Sequence, residues 1–164
     1  MKILVCGLPG SGKTWLSERL VQHIENCAWY NADFVRKYAN DWDFEPEGRM
    51  RQANRMKTFA DFEKSNGRWV VCDFVAPTEK ARTAFNPDFL IWIDTIKEGR
   101  VVSAKLEQLN EINDLPFNAN SLSSSKKFDD TTKMFQNPHN ADERIENFLS
   151  DQEIKDLAEK IKNV

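Results

Sequence analysis

Eight residues near the start of the chain, Gly7-Leu8-Pro9-Gly10-Ser11-Gly12-Lys13-Thr14, fit the spacing G-x-x-x-x-G-K-[ST] without a mismatch. That spacing suits a triphosphate. Glycines let successive backbone N–H groups curl around phosphate oxygens, where a Cβ would obstruct them. Lys13 then reaches the β- and γ-phosphates, the Thr14 hydroxyl can ligate Mg²⁺, and the helix that follows points its positive end at the anion. Ile3-Leu4-Val5 before the motif reads as a strand, and Leu16, Leu20, Val21 and Ile24 after it read as one face of a helix. The plainer alternative is a glycine-rich strand–helix turn that binds nothing; the complete motif in this context disfavours it.

The other residues able to do chemistry close apolar runs. Asp33 follows Ala28-Trp29-Tyr30 and can accept a proton from, or orient, a substrate hydroxyl. Arg36, one helical turn on, can fork onto a phosphate or sulfate of an acceptor. A helix-capping Asp with a surface Arg explains this pair equally well. Asp73 closes Trp69-Val70-Val71-Cys72 and either holds Mg²⁺, directly or through water, or bonds the turn leading to Pro77. Asp94 closes Phe89-Leu90-Ile91-Trp92-Ile93.

Elements must gather these residues. The pattern predicts a strand into the glycine motif, a helix over about 13–25, and a short strand at 28–30. A helix from Pro46 to Asn66 follows, with Met50, Ala53, Met56, Phe59 and Phe62 as its apolar stripe, stopped by Gly67. Then come a buried strand at 69–73, a helix from Pro77 to Phe85, and a strand at 89–93. Residues 95–140 break this rhythm, with a helix from Val101 to Asn113 and a Ser-rich tip at 121–125. A short strand near Arg144-Ile145 and a closing helix capped by Ser150 or Asp151, carrying Ile154, Leu157, Ala158 and Ile161, complete the chain. Strands alternating with helices predict an α/β, three-layer P-loop NTPase-type fold. Its sheet is expected to have five mostly parallel strands, within one domain over 1–164 and with a lid insertion at about 95–140. Ligands of such sheets lie beyond the carboxyl ends of the strands, where the glycine motif, Asp33, Asp73 to Pro77 and Asp94 would meet.

Composition narrows the partners. The 164 residues suit one domain with a sizeable core, and 23 basic against 26 acidic side chains give a net charge of −3. That balance disfavours a broad nucleic-acid grip while leaving room for a small anion in a local basic pocket. Three scattered cysteines with no C-x-x-C predict reduced thiols and a cytoplasmic setting. The chain starts directly on strand residues, leaving no room for a signal peptide, and no apolar run approaches membrane-spanning length. The lack of an N-K-x-D sequence disfavours a GTPase.

Asn31-Ala32-Asp33-Phe34-Val35-Arg36, then Asn40-Asp41-Trp42-Asp43-Phe44 and Gly48-Arg49, resembles the adenylylsulfate kinase family pattern D-G-D-N-V-R, L-N-x-D-L-G-F-S and D-R. Asp73-Phe74-Val75-Ala76-Pro77, with Arg82 beyond, resembles that family's A-F-I-S-P…R. The likeness covers residues 1–95. It implies transfer of the γ-phosphate of ATP, with Mg²⁺, to the 3′-hydroxyl of adenosine 5′-phosphosulfate in sulfate assimilation. Carried onto this sequence, it makes Asp33 the base and puts Arg36 and Arg49 on the phosphosulfate. Asn40 falls within the matched acceptor motif, Phe44 would stack the acceptor adenine, and Val75 would wall the same pocket. Gln52 stands where the family commonly has Asn.

Four departures stand out. Asn31 replaces the first Asp of D-G-D, Ala32 replaces its Gly, and the stretch from Asp33 to Phe44 is one residue shorter. Ala76 replaces a Ser that some members phosphorylate, so no phosphoserine forms there. In the family the region after the fourth strand closes as a lid. That implies Arg100 (on the ATP) and Lys133 as cations over the transferring phosphate, and Phe135 over a base. For each, a solvated surface residue is the plainer alternative. The expected partners are ATP and a small anionic nucleotide acceptor, with no membrane, and a homodimer as the candidate assembly. A polynucleotide 5′-hydroxyl kinase, with its own D-x-x-R, or another nucleotide or nucleoside P-loop kinase is the nearest rival. A module that binds nucleotide without transfer is the other.

Overall fold

The computed structural model describes residues 1–97 and 131–164. The expected helix at Val101–Asn113, the Ser-rich tip and Arg100 lie outside them. Among the described residues five strands, β1 (Lys2–Gly7), β2 (Cys27–Asn31), β3 (Trp69–Asp73), β4 (Phe89–Ile93) and β5 (Glu143–Ile145), form one sheet in the order β2-β3-β1-β4-β5. Every pairing is parallel. Among the same residues, the helices that cover the sheet are α1 (Lys13–Leu20), α2 (Ala32–Ala39), α3 (Pro46–Ser65), α4 (Glu79–Phe85) and α5 (Asp151–Lys162). The architecture is the expected P-loop α/β fold.

Alternation along the central strands splits the core in two, because successive side chains point to opposite faces. Ile3 and Val5 of β1, with Val71, Ile91 and Ile93, pack on Leu16 and Leu20 of α1 and on Ile154, Leu157 and Ile161 of α5. Leu4 and Cys6, with Val70, Cys72, Leu90 and Trp92, pack on the other side against Met56, Ala60 and Phe85. Strands apolar on both faces belong in a parallel sheet covered by helices. Cys6 and Cys72 are buried thiols in this packing, and burial pushes Cys6 up to about 12.

Register brings the site residues level. Gly7 pairs with Ile93 and Asn31 with Asp73, so the loops leaving β1, β2 and β3 emerge at the same edge of the sheet.

Three expectations need correction. Helix α1 ends at Leu20, and the backbone tightens into a 3₁₀ turn at Val21–His23. Helix α4 begins at Glu79, because the Thr78 side chain caps it by accepting from Ala81 N. In α3 the stripe Met50, Ala53, Met56, Phe59, Phe62 is not the core face. Met50, Phe59 and Phe62 are exposed, while Gly48, Gln52, Met56, Ala60 and Glu63 are buried. Four successive i+3 steps drift around a helix of 3.6 residues per turn, whereas the observed set takes three i+4 steps and one i+3 step and stays on one side. Two polar residues on that buried side hid the pattern.

Candidate active site

The Gly7–Thr14 loop joins β1 to α1 as the motif requires. Gly7 sits so close to the neighbouring strand that a Cβ would stand 2.6 Å from the Ile93 carbonyl oxygen. Gly10 and Gly12 take φ of 83° and 102°, a conformation glycine adopts without penalty. Thr95, just past β4, donates its hydroxyl to the Ser11 carbonyl at 2.6 Å and holds the loop from outside. Helix α1 has no side-chain cap, and such a terminus presents N–H groups and a partial positive charge to an anion. Lys13 Nζ lies across the loop and donates to the carbonyls of Gly7 and Leu8 at 3.1 and 2.9 Å.

Beside it, three side chains from three elements meet. Asn31 Nδ2 donates to Thr14 Oγ1 at 2.9 Å and to Asp73 Oδ2 at 3.2 Å. Its Oδ1 accepts from Phe34 N and caps α2. Asp73 is 2% exposed, and its Oδ1 is buried with no hydrogen-bond partner among the described residues. Burial pushes this carboxyl up to about 6, against the opposing pull of the Asn31 hydrogen bond and the Lys13 charge. An orphaned carboxylate oxygen next to a threonine hydroxyl fits Mg²⁺, which takes one or two protein ligands and completes its shell with water and phosphate. Among the described residues no cluster of three acidic, His or Cys side chains offers an all-protein cage.

Asp33 sits half-buried in the first turn of α2, close enough to Asp73 and Arg36 to act on both electrostatically. The α2 cap thus ties this acid to the loop that holds Lys13 and Thr14.

The residues expected to meet an acceptor cluster around the α2–α3 connection. Arg36 is 5% exposed, donates to the carbonyls of Asp41 and Asp43 at 3.0 Å each, and stands 4.4 Å from the Phe44 ring centroid. Arg49 Nε donates to the Phe44 carbonyl at 2.6 Å. Asp41 takes a bidentate pair from Arg51 and a 2.6 Å bond from Arg55; the Arg51 hydrogen bond is the main reason its carboxyl lies well below the usual range. Gly48 lets α3 press on this loop, since a Cβ there would lie 2.3 Å from the Asp43 carbonyl oxygen. Gln52 Nε2 donates to the Ala32 carbonyl at 3.0 Å, fastening α3 to the start of α2. Asn40 caps the end of α2 in the left-handed conformation at φ 48° and is exposed. Val75 is half-buried beyond β3.

The segment following residue 130 reaches the same region. Lys133 is exposed on a helical turn at 131–134. Phe135 packs on the α3–α4 side of the core, with the Arg82 guanidinium 5.8 Å from its ring centroid. Gln136 N donates to the Pro77 carbonyl at 2.7 Å, and Met134 Sδ lies 3.8 Å from Arg49 Nη1. Pro77 follows Ala76, which is buried at φ 42° with its carbonyl held by the buried Arg82 at 2.9 Å.

Residues 3–111 match the family described as AAA domain. The chain belongs to that family. The chain is 32% identical over 85 residues to a probable adenylyl-sulfate kinase of Aeropyrum pernix, which bears out the resemblance read from the motifs. That match takes in 49% of this chain and 46% of the relative, so under half of the relative's length is matched. The crystal structure of APE1195 aligns over 100% of this chain and 96% of its own, with a TM-score of 0.77 at 22% identity. The Mycobacterium tuberculosis APS kinase CysC, in complex with AMPPNP and APS, aligns over 99% and 95%, with a TM-score of 0.63 at 18% identity. A gluconokinase from Sinorhizobium meliloti aligns over 99% and 95% at a TM-score of 0.57 and 14% identity. These likenesses are of architecture, and an APS kinase and a gluconokinase share it.

Two features escaped the motif reading. Arg144 of β5 donates to Asp94 at 3.0 and 2.5 Å and, with Lys97 at 3.0 Å, neutralises the acid closing β4. Asn31, visible in the sequence only as a departure, is the junction of the site.

Proposed function

We propose that this chain is an ATP-dependent small-molecule kinase that transfers the γ-phosphate of ATP to the 3′-hydroxyl of adenosine 5′-phosphosulfate. The observation that carries this reading is the tie between two halves of one site. Asn31 bonds Thr14 of the glycine motif and caps the helix that bears Asp33. An acid fixed beside the triphosphate cradle suits transfer to an alcohol better than hydrolysis or passive binding.

In the proposed reaction the loop amides and Lys13 hold the β- and γ-phosphates, and Lys13 leaves its two loop carbonyls to do so. The acceptor's 3′-oxygen attacks the γ-phosphorus in line while the bond to the β–γ bridging oxygen breaks. Asp33 accepts the proton released by the hydroxyl, and ADP departs. Thr14 and Asp73 would hold Mg²⁺, which supplies charge neutralisation across the phosphates when bound. The acceptor falls to the 40–49 region. We assign Phe44 to its adenine, and Arg49, with Arg36 fixing the loop behind it, to its phosphosulfate. Asn40, Gln52 and Val75 shape that pocket, and Lys133 and Phe135, with Arg100 beyond the described residues, serve the closing side. The 32% identity over 85 residues to a probable adenylyl-sulfate kinase supports this choice of acceptor.

A panel of acceptors tests it. With ATP and Mg²⁺, ADP release is expected to depend on adenosine 5′-phosphosulfate, and not on a 5′-hydroxyl oligonucleotide, gluconate or shikimate. Release that depends on one of the others assigns a different acceptor to the same chemistry. ATP binding with no release in any mixture contradicts the kinase reading.

A further inference from the structure

Asn31 ends β2, is 8% exposed, and has every polar group of its side chain engaged. Its oxygen caps α2 through Phe34 N at 3.0 Å. Its single amide nitrogen serves Thr14 Oγ1 at 2.9 Å and Asp73 Oδ2 at 3.2 Å, one hydrogen for each. Asp73 Oδ1, on the same buried carboxylate, has no partner among the described residues.

We propose that Asn31 is the positioning residue of the metal–nucleotide site, orienting the Thr14 hydroxyl and the Asp73 carboxylate toward one divalent cation bound with ATP. The inference rests on the kinase reading above. A hydroxyl oxygen that accepts from Asn31 keeps a lone pair in a fixed direction, and a carboxylate pinned at one oxygen presents the other. Capping alone does not explain the residue, since Ser or Asp caps a helix as well as Asn does. Only an amide offers an acceptor to the cap and two donors to the site. Asp would offer no donor and would set a third carboxylate beside Asp73 and Asp33.

The substitution Asn31→Ser separates the two roles, because serine keeps the cap and the neutral charge but is too short to reach Thr14 and Asp73. ATP binding is measured by calorimetry in MgCl₂ and in EDTA for the wild type and the variant. The expected result is equal affinity in EDTA and a loss of about ten-fold or more in the gain that Mg²⁺ confers, as for residues that orient metal ligands. Turnover of the variant should recover as Mg²⁺ is raised, which a merely structural defect would not allow. An unchanged Mg²⁺-dependent gain overturns the proposal, as does a loss that excess Mg²⁺ does not restore. Should Asn31→Ser fail to fold, Asn31→Thr, suited to the end of a strand, is measured in the same way. A wild type that binds no ATP refutes the kinase reading itself, whereas a wild-type gain retained in the variant refutes this inference alone.

Discussion

Asp73 and Lys13 carry opposite costs for the same site. Lys13→Ala should lower turnover by two to three orders of magnitude, since one preorganised charge on the developing phosphate contributes about 3–4 kcal/mol. Steady-state ADP release checks this, and near-normal turnover would remove Lys13 from the mechanism. Asp73 destabilises the empty protein. Its carboxyl, raised by burial from 3.8 to about 6, binds a proton more readily folded than unfolded. Its stability contribution is therefore complete below about pH 4 and is lost as pH rises through about 6. Asp73→Asn should raise the neutral-pH stability of the ligand-free protein by roughly 1–3 kcal/mol while depressing turnover. Thermal melts should show the gap between variant and wild type closing near pH 4; a variant less stable at neutral pH contradicts the account. The glycine motif was legible because its spacing is dictated by local backbone geometry. The Asn31 junction was not, because it depends on the register that sets Asn31 beside Asp73, a contact between residues 42 apart in sequence.

At the scale of elements, the α2–α3 connection is built around buried charge. Arg36 holds two carbonyls and the Phe44 ring, and Arg49 holds a third carbonyl. Removing the guanidinium leaves two carbonyls unpaired, at about 1–3 kcal/mol each where they stay dry. Arg36→Ala should therefore raise KM for the acceptor at least ten-fold with little change in KM for ATP. A rise in both, or in ATP alone, would show that Arg36 supports the nucleotide half instead. The sequence marked Arg36 as a residue for anions because an arginine one turn after an acid suggests a fork. Its actual contacts lie five and seven residues onward, in a loop whose path periodicity does not specify. Helix α3 teaches the same lesson: Gln52 and Glu63 occupy its buried side, so a reading that followed apolar residues alone placed the face incorrectly.

For the whole molecule, strands and helices alternate legibly, and each central strand was found within a residue or two. Strand order was less accessible, since β2-β3-β1-β4-β5 is set by crossovers that local patterns do not encode. The same sheet order determines which charges meet, and with them the acid limit of stability. Asp41 is held well below the usual range, chiefly by the Arg51 hydrogen bond. At Asp61, Asp88 and Asp94 burial pushes upward, but hydrogen bonds from Lys2 and Lys57, from Lys64, and from Arg144 and Lys97 outweigh it. A depressed carboxyl contributes stability that is present above its unfolded value near 4 and is lost as pH falls through its folded one. Urea midpoints should accordingly fall steeply below about pH 4, where these four sites outnumber Asp73. A midpoint that stays level or rises on acidification to pH 3 would show that the ion pairs do not hold in solution.

The central claim is tested most directly by ³¹P NMR of the protein with ATP, Mg²⁺ and adenosine 5′-phosphosulfate. The account predicts loss of the γ-phosphate resonance with stoichiometric growth of a 3′-phosphomonoester on the intact phosphosulfate and of ADP. Growth of inorganic phosphate without that ester, or no change in the ATP resonances, contradicts it.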